Sequence, residues 1–390
     1  MNLPFSHRLW PLFLPACAIL HAPLAAAIIE NVWLTHATTD PTHLTVSWET
    51  AKPGPSMVEF GTTTAYGHKV ETKESTTLHH VDIPVTDKDT VYHYRVTSGK
   101  EASEDAAFPT PPTKELRVVI VGDWGYAPED DLAAIIKDAP HLLLTAGDNV
   151  PSLHEKDHEG IKAFSALIAR HPALFRSTPF IPSLGNHDRE VTARGPKPPG
   201  QPVYDIEATA FRQFFALPDK EWIWHFDVPD FNVRFLALDM SHLSDFGTTW
   251  QTCHPWQPES EQFKWYHDTM TSTKAAYVFT LMNEKQTAVN GLTQGAWHKE
   301  MRNGSAVVTG FGYFAERAEL ADGLPYFNTC LKGDGSPYKD PQSKYFAQEN
   351  NYLLLTFKEG ATNMTAQLKN LKGEVLDTRV IEKRKGEDKP

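Results

Sequence analysis

The chain has 390 residues, of which 41% are hydrophobic and 22% charged, values typical of a folded globular protein long enough for two domains. Its formal net charge is −12 at pH 7, and a surface this acidic repels nucleic-acid backbones and anionic membranes. We therefore expect no nucleic acid among its partners.

Residues 1–27 differ in composition from the rest of the chain. A short segment containing Arg8 leads into the apolar run from Leu9 to Leu24, which is followed by three alanines. This is the pattern of a secretory signal peptide that is cleaved after Ala27. The alternative is a membrane anchor, but prolines interrupt the run, and no later segment has the apolar length that crossing a bilayer needs. We predict a secreted or periplasmic protein without a membrane span.

Residues 28–112 are predicted to form a β-sandwich. The stretch HLTVSWET alternates apolar and polar residues, and TVYHYRVTSG repeats the pattern, as expected of strands with one buried face. Short strands between Gly- and Thr-rich turns, without a helical stretch, favour two packed sheets. The proline-rich segment FPTPPTK then forms a stiff linker.

Residues 113–390 are predicted to form an α/β domain. The segments ELRVVIVGD and HLLLTAGD are continuous apolar runs, typical of strands buried on both faces. Helical periodicity in PEDDLAAIIKD and KDHEGIKAFSALIARH alternates with these strands, and further strands follow in NVRFLALDM, AYVFTLMN, SAVVTGF and NYLLLTFKE. Such alternation predicts an α/β sandwich whose functional loops lie at the strand ends.

Three of these strands end in similar polar turns. Asp123 follows the first strand, Asp148 the second and Asn186 the third, each beside a glycine that permits a sharp turn. One Gly-Asp turn is weak evidence, because aspartate is a common turn residue. Three in series indicate a shared site, and two carboxylates with an amide suit a hard divalent or trivalent cation.

The turns VGDWG, AGDNV and LGNHD resemble the motifs of the calcineurin-like metallophosphoesterases, and among these the purple acid phosphatases. The resemblance covers nearly the whole chain after residue 27. It implies a fibronectin type III-like sandwich over residues 28–112 and a four-layer α/β/β/α metallophosphoesterase domain over residues 113–390. It also implies hydrolysis of phosphomonoesters at a metal centre.

The resemblance implies roles for individual residues of these turns. Asp123 would bind the first metal ion, Asp148 would bridge two ions, and Asn186 would bind the second. His187 would donate a proton to the leaving group or hold the substrate phosphate, with Asp188 beside it in the catalytic turn. Two ions in such a site activate the nucleophile and neutralise the phosphate.

Two neighbouring residues are candidate contacts for the substrate. Asn149 lies in the same turn as Asp148. Arg189 begins a loop whose cations, Arg194 among them, could hold an anion. The alternative is a flexible surface loop without such a role. The expected ligand is a small phosphoester or another anion.

The second half of the expected metal site departs from the family pattern. Pro151 stands where these phosphatases have a metal-binding tyrosine, and Asn283 stands where they have a histidine. Phe311 and Tyr313 occupy the two histidine positions of the family's final Gly-His-x-His motif. A standard two-metal centre is therefore not expected.

Two interpretations follow from this departure. Asn283 or Tyr313 could act as a substitute oxygen ligand and support a hydrolase with at most one metal ion per chain, whether Fe, Zn, Mn or Mg. Alternatively, the chain keeps the phosphatase fold as a non-catalytic scaffold that binds a ligand or a partner.

The cysteines allow two arrangements. Three cysteines occur, and Cys17 lies within the predicted signal peptide. Cys253 and Cys330 could form a disulfide in an oxidising compartment. They could equally be two separate buried thiols, and the sequence pattern is compatible with both arrangements.

Overall fold

A computed structural model of the chain describes residues 29–127, 132–196, 199–320, 322–335 and 338–384. The predicted signal peptide lies outside the described residues, as does the start of the predicted helix PEDDLAAIIKD. Across the described ranges, no helix has the length and apolar character that spanning a membrane requires.

The N-terminal region is all-β, as predicted. Its strands are β1 (Ile29–Thr35), β2 (His43–Gly61), β3 (His68–Pro84), β4 (Val91–Ser98), β5 (Glu101–Ala102) and β6 (Ala106–Pro109). The register between β2 and β3 shifts around Gly54, and such bulges bend strands. The first half of β2 pairs with β1 and the second half with β4. Trp48 and Phe60, from the two halves, share one core.

Two further sheets form the rest of the structure. One, the β7 sheet, contains β7 (Glu115–Val121), β8 (Leu142–Thr145), β9 (Phe180–Ile181), β17 (Asn351–Lys358), β18 (Asn363–Asn370) and β19 (Val375–Glu382). The other, the β11 sheet, contains β10 (Trp224–Val228), β11 (Val233–Ala237), β12 (Tyr277–Met282), β13 (Ala306–Thr309), β14 (Ala315–Glu319), β15 (Pro325–Asn328) and β16 (Ser343–Ala347).

The order of the strands aligns the ends that carry the polar turns. The β7 sheet has the order β19-β18-β17-β7-β8-β9, and the β11 sheet has the order β10-β11-β12-β13-β15-β14-β16. Strands β7, β8 and β9 are parallel, and so are β11, β12, β13 and β15. In each sheet, the carboxyl ends of these parallel strands therefore lie along one edge.

The helices are α1 (Ala133–Lys137), α2 (Ile161–Arg170), α3 (Pro172–Phe175), α4 (Thr209–Phe214), α5 (Glu261–Ser272), α6 (Gln286–Leu292) and α7 (Ala296–Met301). Short 3-10 turns span Trp124–Tyr126, His187–Arg189, Pro229–Phe231 and Leu243–Asp245. In α2, Phe164, Leu167 and Ile168 are fully buried, as their helical spacing predicts.

Alternate side chains of the β11 sheet belong to different cores. Phe235 and Phe279 pack in the large core that includes the β7 sheet and α2. Their neighbours Leu236 and Val278 pack in a second core with Trp297 of α7. The β11 sheet is thus buried on both faces, which explains its continuous apolar runs. The four-layer α/β/β/α prediction is confirmed.

Strand β1 also contributes to two cores. Val32 and Leu34 lie in the N-terminal core, whereas Trp33 belongs to the large core. The Trp33 ring stacks on Phe214 of α4 with their centroids 4.5 Å apart. The N-terminal sheet is therefore packed directly against the α/β layers.

Candidate active site

The polar turns after β7, β8 and β9 meet at one edge of the β7 sheet. Asp123, Asp148 and Asn186 are each at most 5% exposed. All three line one cavity with a volume of about 500 Å³. The structure therefore brings together the three residues that the sequence analysis proposed as metal ligands.

The backbone of these turns adopts an uncommon conformation. The φ angle is 51° at Asp123 and 56° at Asp148, in the left-handed region that residues other than glycine seldom occupy. A Cβ at Gly122 would lie 2.5 Å from the Cα of Gly310, so this close approach between the two sheets requires glycine. Strained backbone that its surroundings hold in place is typical of functional sites.

Neighbouring groups offset only part of the negative charge of the buried carboxylates. Burial raises the pKa of Asp123, and the nearby Asp148 carboxylate raises it further. Asp148 Oδ1 accepts the His187 backbone N–H at 2.9 Å. Asp123 Oδ2 is buried and accepts no hydrogen bond from the residues that the structure describes. An uncommitted oxygen in a buried acidic pair is compatible with a bound cation.

A neutral amide accompanies the two carboxylates. The side-chain nitrogen of Asn186 is buried and has no partner among the described residues, so its amide is not committed elsewhere. Within the described part of the chain, no three His, Cys, Asp or Glu side chains are grouped so that they could hold a metal ion. The two carboxylates and the amide of Asn186 are oxygen donors of the kind that a hard cation prefers.

The β11 sheet supplies other residues that line the cavity. Asn283 follows β12, and its amide nitrogen donates to the carbonyl oxygens of Ala146 at 3.2 Å and Gly310 at 2.7 Å. Asn283 thus joins the edges of the two sheets, and only its side-chain oxygen remains for a ligand.

Phe311 and Tyr313 follow β13 and line the same cavity. Burial raises the pKa of the Tyr313 phenol, and the carboxylates of Asp123 and Asp148 raise it further. The phenol therefore stays protonated at neutral pH and is a hydrogen-bond donor. As a substitute metal ligand it would first have to lose this proton.

His187 lies in a network of charged groups. Arg194 Nη2 is 2.7 Å from His187 Nε2, and because a guanidinium only donates, Nε2 accepts and the ring proton resides on Nδ1. Nδ1 lies 2.8 Å from the carbonyl oxygen of Pro151 and 3.1 Å from Glu190. Burial lowers the pKa of His187, but the Asp148 and Glu190 carboxylates outweigh this effect and raise it overall.

Glu190 holds this network together. Its carboxylate accepts a hydrogen bond from Arg194 at 2.7 Å and lies 3.2 Å from His154 Nε2. Although burial opposes its charge, contacts with His187 and Arg194 lower the pKa of Glu190 to about 2. Glu190 therefore remains an anion that fixes both the His187 ring and the Arg194 guanidinium.

Two of the predicted site residues are buried and hydrogen-bonded within the protein. Asn149 is fully buried, and its side-chain amide donates to Ser183 O and to Asp188, both at 2.9 Å. Asp188 is also fully buried and accepts the N–H groups of Gly185 and Asn149 at 2.8 Å. Burial and the Asp148 charge raise the pKa of Asp188 to about 7. Neither side chain lines the cavity, and the roles of Asn149 in substrate contact and of Asp188 in the reaction stay predictions.

The substrate contact predicted for Arg189 also stays a prediction, and its side chain is committed to a buried ion pair. Arg189 is fully buried, and its guanidinium donates to Asp239 at 2.8 Å and to the carbonyl oxygen of Ile206 at 2.9 Å. Arg194, five residues further along the same loop, lines the cavity in its place.

Sequence reasoning missed several residues that line the cavity, among them His242, Lys332, Asp334 and Tyr338. His242 comes shortly after β11, and the same strand-end rule that found the acidic turns could have found it. Burial lowers the pKa of His242. Lys332 follows β15, with its Nζ 5.1 Å from the Tyr313 ring centroid and 3.5 Å from Asp334. No sequence pattern marks Lys332.

The two cysteines are separate thiols. Cys253 and Cys330 are both buried and free. Cys253 packs in the core behind the β11 sheet, while Cys330 lies 3.6 Å from Asn328 Nδ2 and beside Asp123. The arrangement with two separate thiols is the one present.

Two packed sheets whose strand ends carry Asp, Asp and Asn-His turns define the class of α/β metal-dependent phosphoesterases. Residues 116–314 match the calcineurin-like phosphoesterase family, and the chain belongs to this family. No curated protein sequence matches the chain.

Solved structures support the same fold. A purple acid phosphatase from yellow lupin (Lupinus luteus) seeds superposes with a TM-score of 0.69 at 16% identity, over 91% of this chain and 74% of the lupin chain. The structure of PhoD superposes with a TM-score of 0.68 at 13% identity, over 93% of this chain and 92% of its own. The predicted likeness to purple acid phosphatases is thus confirmed for the fold.

Proposed function

We propose that this protein is a phosphomonoesterase that works with one metal ion on Asp123, Asp148 and Asn186. The observation that carries the proposal is the buried Asp123 Oδ2 without a hydrogen-bond partner among the described residues, beside a second carboxylate. A bound divalent ion would neutralise phosphate charge and activate water as a nucleophile.

The cationic side chains of the cavity would bind the phosphate. Arg194 and Lys332 both line the cavity, and a guanidinium can donate two parallel hydrogen bonds to phosphate oxygens. In this proposal Arg194 leaves His187 Nε2 and moves to the phosphate when the substrate binds. Nε2 is then free to carry a proton to the leaving oxygen, while Glu190 keeps the ring oriented.

One observation favours a second function, that of a non-catalytic binding protein. Aromatic rings stand at the positions where the resemblance places metal-binding histidines, and Asn283 is already bonded to two carbonyl oxygens. A phosphatase scaffold that binds an anion through Arg194 and Lys332 would need no metal.

We also propose that the protein is exported to a secreted or periplasmic location. The support is the basic start, apolar run and triple alanine within residues 1–27. Intact-mass measurement of protein from the native host should show a chain that begins near Ile28, and an uncleaved chain would contradict the proposal.

Metal titration of chelator-treated protein tests the catalytic proposal. With Mg²⁺, Mn²⁺, Zn²⁺ or iron, we expect at most one ion per chain and metal-dependent hydrolysis of a chromogenic phosphomonoester. Asp148→Asn should abolish both. Asp334→Asn is the matched control, because it removes an exposed carboxylate from the same cavity and should keep both. Phosphate binding without hydrolysis under every metal would support the binding protein instead.

A further inference from the structure

Aromatic rings that the proposed hydrolysis does not use line part of the cavity. Phe311 and Tyr338 are in edge contact with their ring centroids 5.6 Å apart. Tyr313 contacts Tyr126 in the same geometry, also at 5.6 Å. Phe311, Tyr313 and Tyr338 all line the cavity that contains Asp123. The ligand space is therefore bordered by aromatic carbon as well as by charge.

Tyr338 is unusually open for a large aromatic residue. It is 52% exposed, whereas most rings of this protein are buried. The Lys285 ammonium donates to its carbonyl oxygen, which holds the backbone of Tyr338 near the cavity. Exposed aromatic surface beside convergent polar groups is typical of a small-molecule site.

The same cavity contains the cations that would hold an anionic group. Arg194 and Lys332 line it, and Lys332 lies 5.1 Å from the centroid of Tyr313. The volume of about 500 Å³ lies within the range of small-molecule sites. A ligand with a phosphate at one end and a ring at the other satisfies both kinds of lining.

We propose, on the basis of the phosphomonoesterase function above, that this site selects phosphomonoesters whose leaving group carries a planar aromatic ring. Phe311 and Tyr338 bind that ring, and Arg194 and Lys332 bind the phosphate. Aromatic rings gain from edge-to-face or offset stacking beyond the burial of their surface. A saturated ring of the same size gains only the burial, which makes the selectivity measurable.

Matched pairs of compounds test this selectivity. Hydrolysis is compared for benzyl phosphate and cyclohexylmethyl phosphate, whose leaving alcohols have similar acidity, and calorimetry compares binding of the non-hydrolysable benzylphosphonate and cyclohexylmethylphosphonate. We expect the aromatic member to be preferred by about three- to tenfold in both assays. Tyr338→Leu and Phe311→Leu should each reduce the preference, and the double variant should abolish it. Tyr338→Phe is the control that keeps the ring and the preference.

The two proposals fail in different ways. Equal hydrolysis and equal binding of both members would overturn the aromatic selectivity and leave the phosphomonoesterase intact. A preference for benzylphosphonate without hydrolysis under any metal would support the aromatic site and refute the catalytic function. A preference that persists in the double leucine variant would show that these two rings do not bind the ligand.

Discussion

The two sheet edges that border the cavity have similar backbones and different chemistry. The edge of the β7 sheet presents Asp123 and Asp148 with Asn186. The edge of the β11 sheet presents Asn283 and Phe311 at its strand ends. One edge thus has the proposed metal ligands, whereas the other has a committed amide and an aromatic ring.

Both edges nevertheless share two backbone features, a positive φ angle and a closely packed glycine. Asp123 and Tyr313 both have positive φ angles, 51° and 64°. Gly122 and Gly310 approach so closely that a Cβ on either would fall within 3 Å of the other's Cα. Both edges therefore share these backbone features, while the two carboxylates lie on one edge. The fold does not depend on the complete ligand set.

The largest effect should come from neutralising the β7-sheet edge. Asp123→Asn should lower kcat/KM at least about 100-fold and abolish metal uptake, because metal sites lose activity steeply with each ligand or supporting group. Asn283→Ala should lower activity by less than about tenfold, and should mainly lower Tm because two carbonyl oxygens lose a donor. Metal analysis, kinetics and calorimetry on both variants check this. Equal losses of activity in Asp123→Asn and Asn283→Ala would show that the two edges contribute equally to activity.

Restoring the β11-sheet edge should have the next largest effect. The triple variant Asn283→His, Phe311→His and Tyr313→His adds nitrogen ligands at the positions where the family resemblance places histidines. We expect metal content to rise from at most one to two ions per chain, with about a tenfold gain in hydrolysis. The control is the double variant that keeps Asn283, which should gain no second ion and have a lower Tm. A triple variant that still binds no second ion would show that the β11-sheet edge has also lost the required backbone geometry.

The smallest effect concerns the pH dependence of stability without metal. The folded pKa of Asp123 is raised, so the folded state binds more protons than the unfolded state above the ordinary carboxyl pKa of about 4. Its contribution to stability therefore falls as pH rises through this window and levels off above the folded pKa. Asn mimics the protonated acid, so Asp123→Asn should have the same Tm as the chelator-treated parent near pH 4. At pH 8 its Tm should be higher than that of the parent, by about 2–4 °C for each kcal/mol of stability that the ionised Asp123 costs the parent.

The matched control for the pH experiment is Asp334→Asn. Asp334 has an exposed side chain at the same cavity, so its variant should show no advantage that grows with pH. Adding metal to the parent should remove the advantage of Asp123→Asn. A constant difference in Tm across pH 4–8 would mean that Asp123 is ionised at all these values.

Much of the fold and one half of the site follow from the sequence. Continuous apolar runs predict the buried strands, and the polar turns directly after them predict that Asp123, Asp148 and Asn186 converge. These are short-range patterns, because the end of a parallel strand fixes the position of the next few residues.

The direction of individual side chains does not follow from the sequence. Arg189 and Arg194 belong to the same loop, yet Arg189 pairs with buried Asp239 while Arg194 lines the cavity. The partner of Arg189 lies 50 residues away in the chain, so no local pattern distinguishes the two arginines. Lys332 was missed for the same reason, since β15 places it in the cavity only through sheet pairing.

The stacking of Trp33 on Phe214 also limits how the chain can be divided. The proline-rich segment near residue 112 resembles a boundary at which a catalytic fragment could be excised. Such a fragment would leave the face of α4 that Trp33 covers open to water, because Trp33 and Phe214 are both fully buried in the intact chain. A fragment that starts at residue 113 should therefore aggregate when expressed alone. In the intact chain, the N-terminal strands keep this apolar surface of the α/β layers covered.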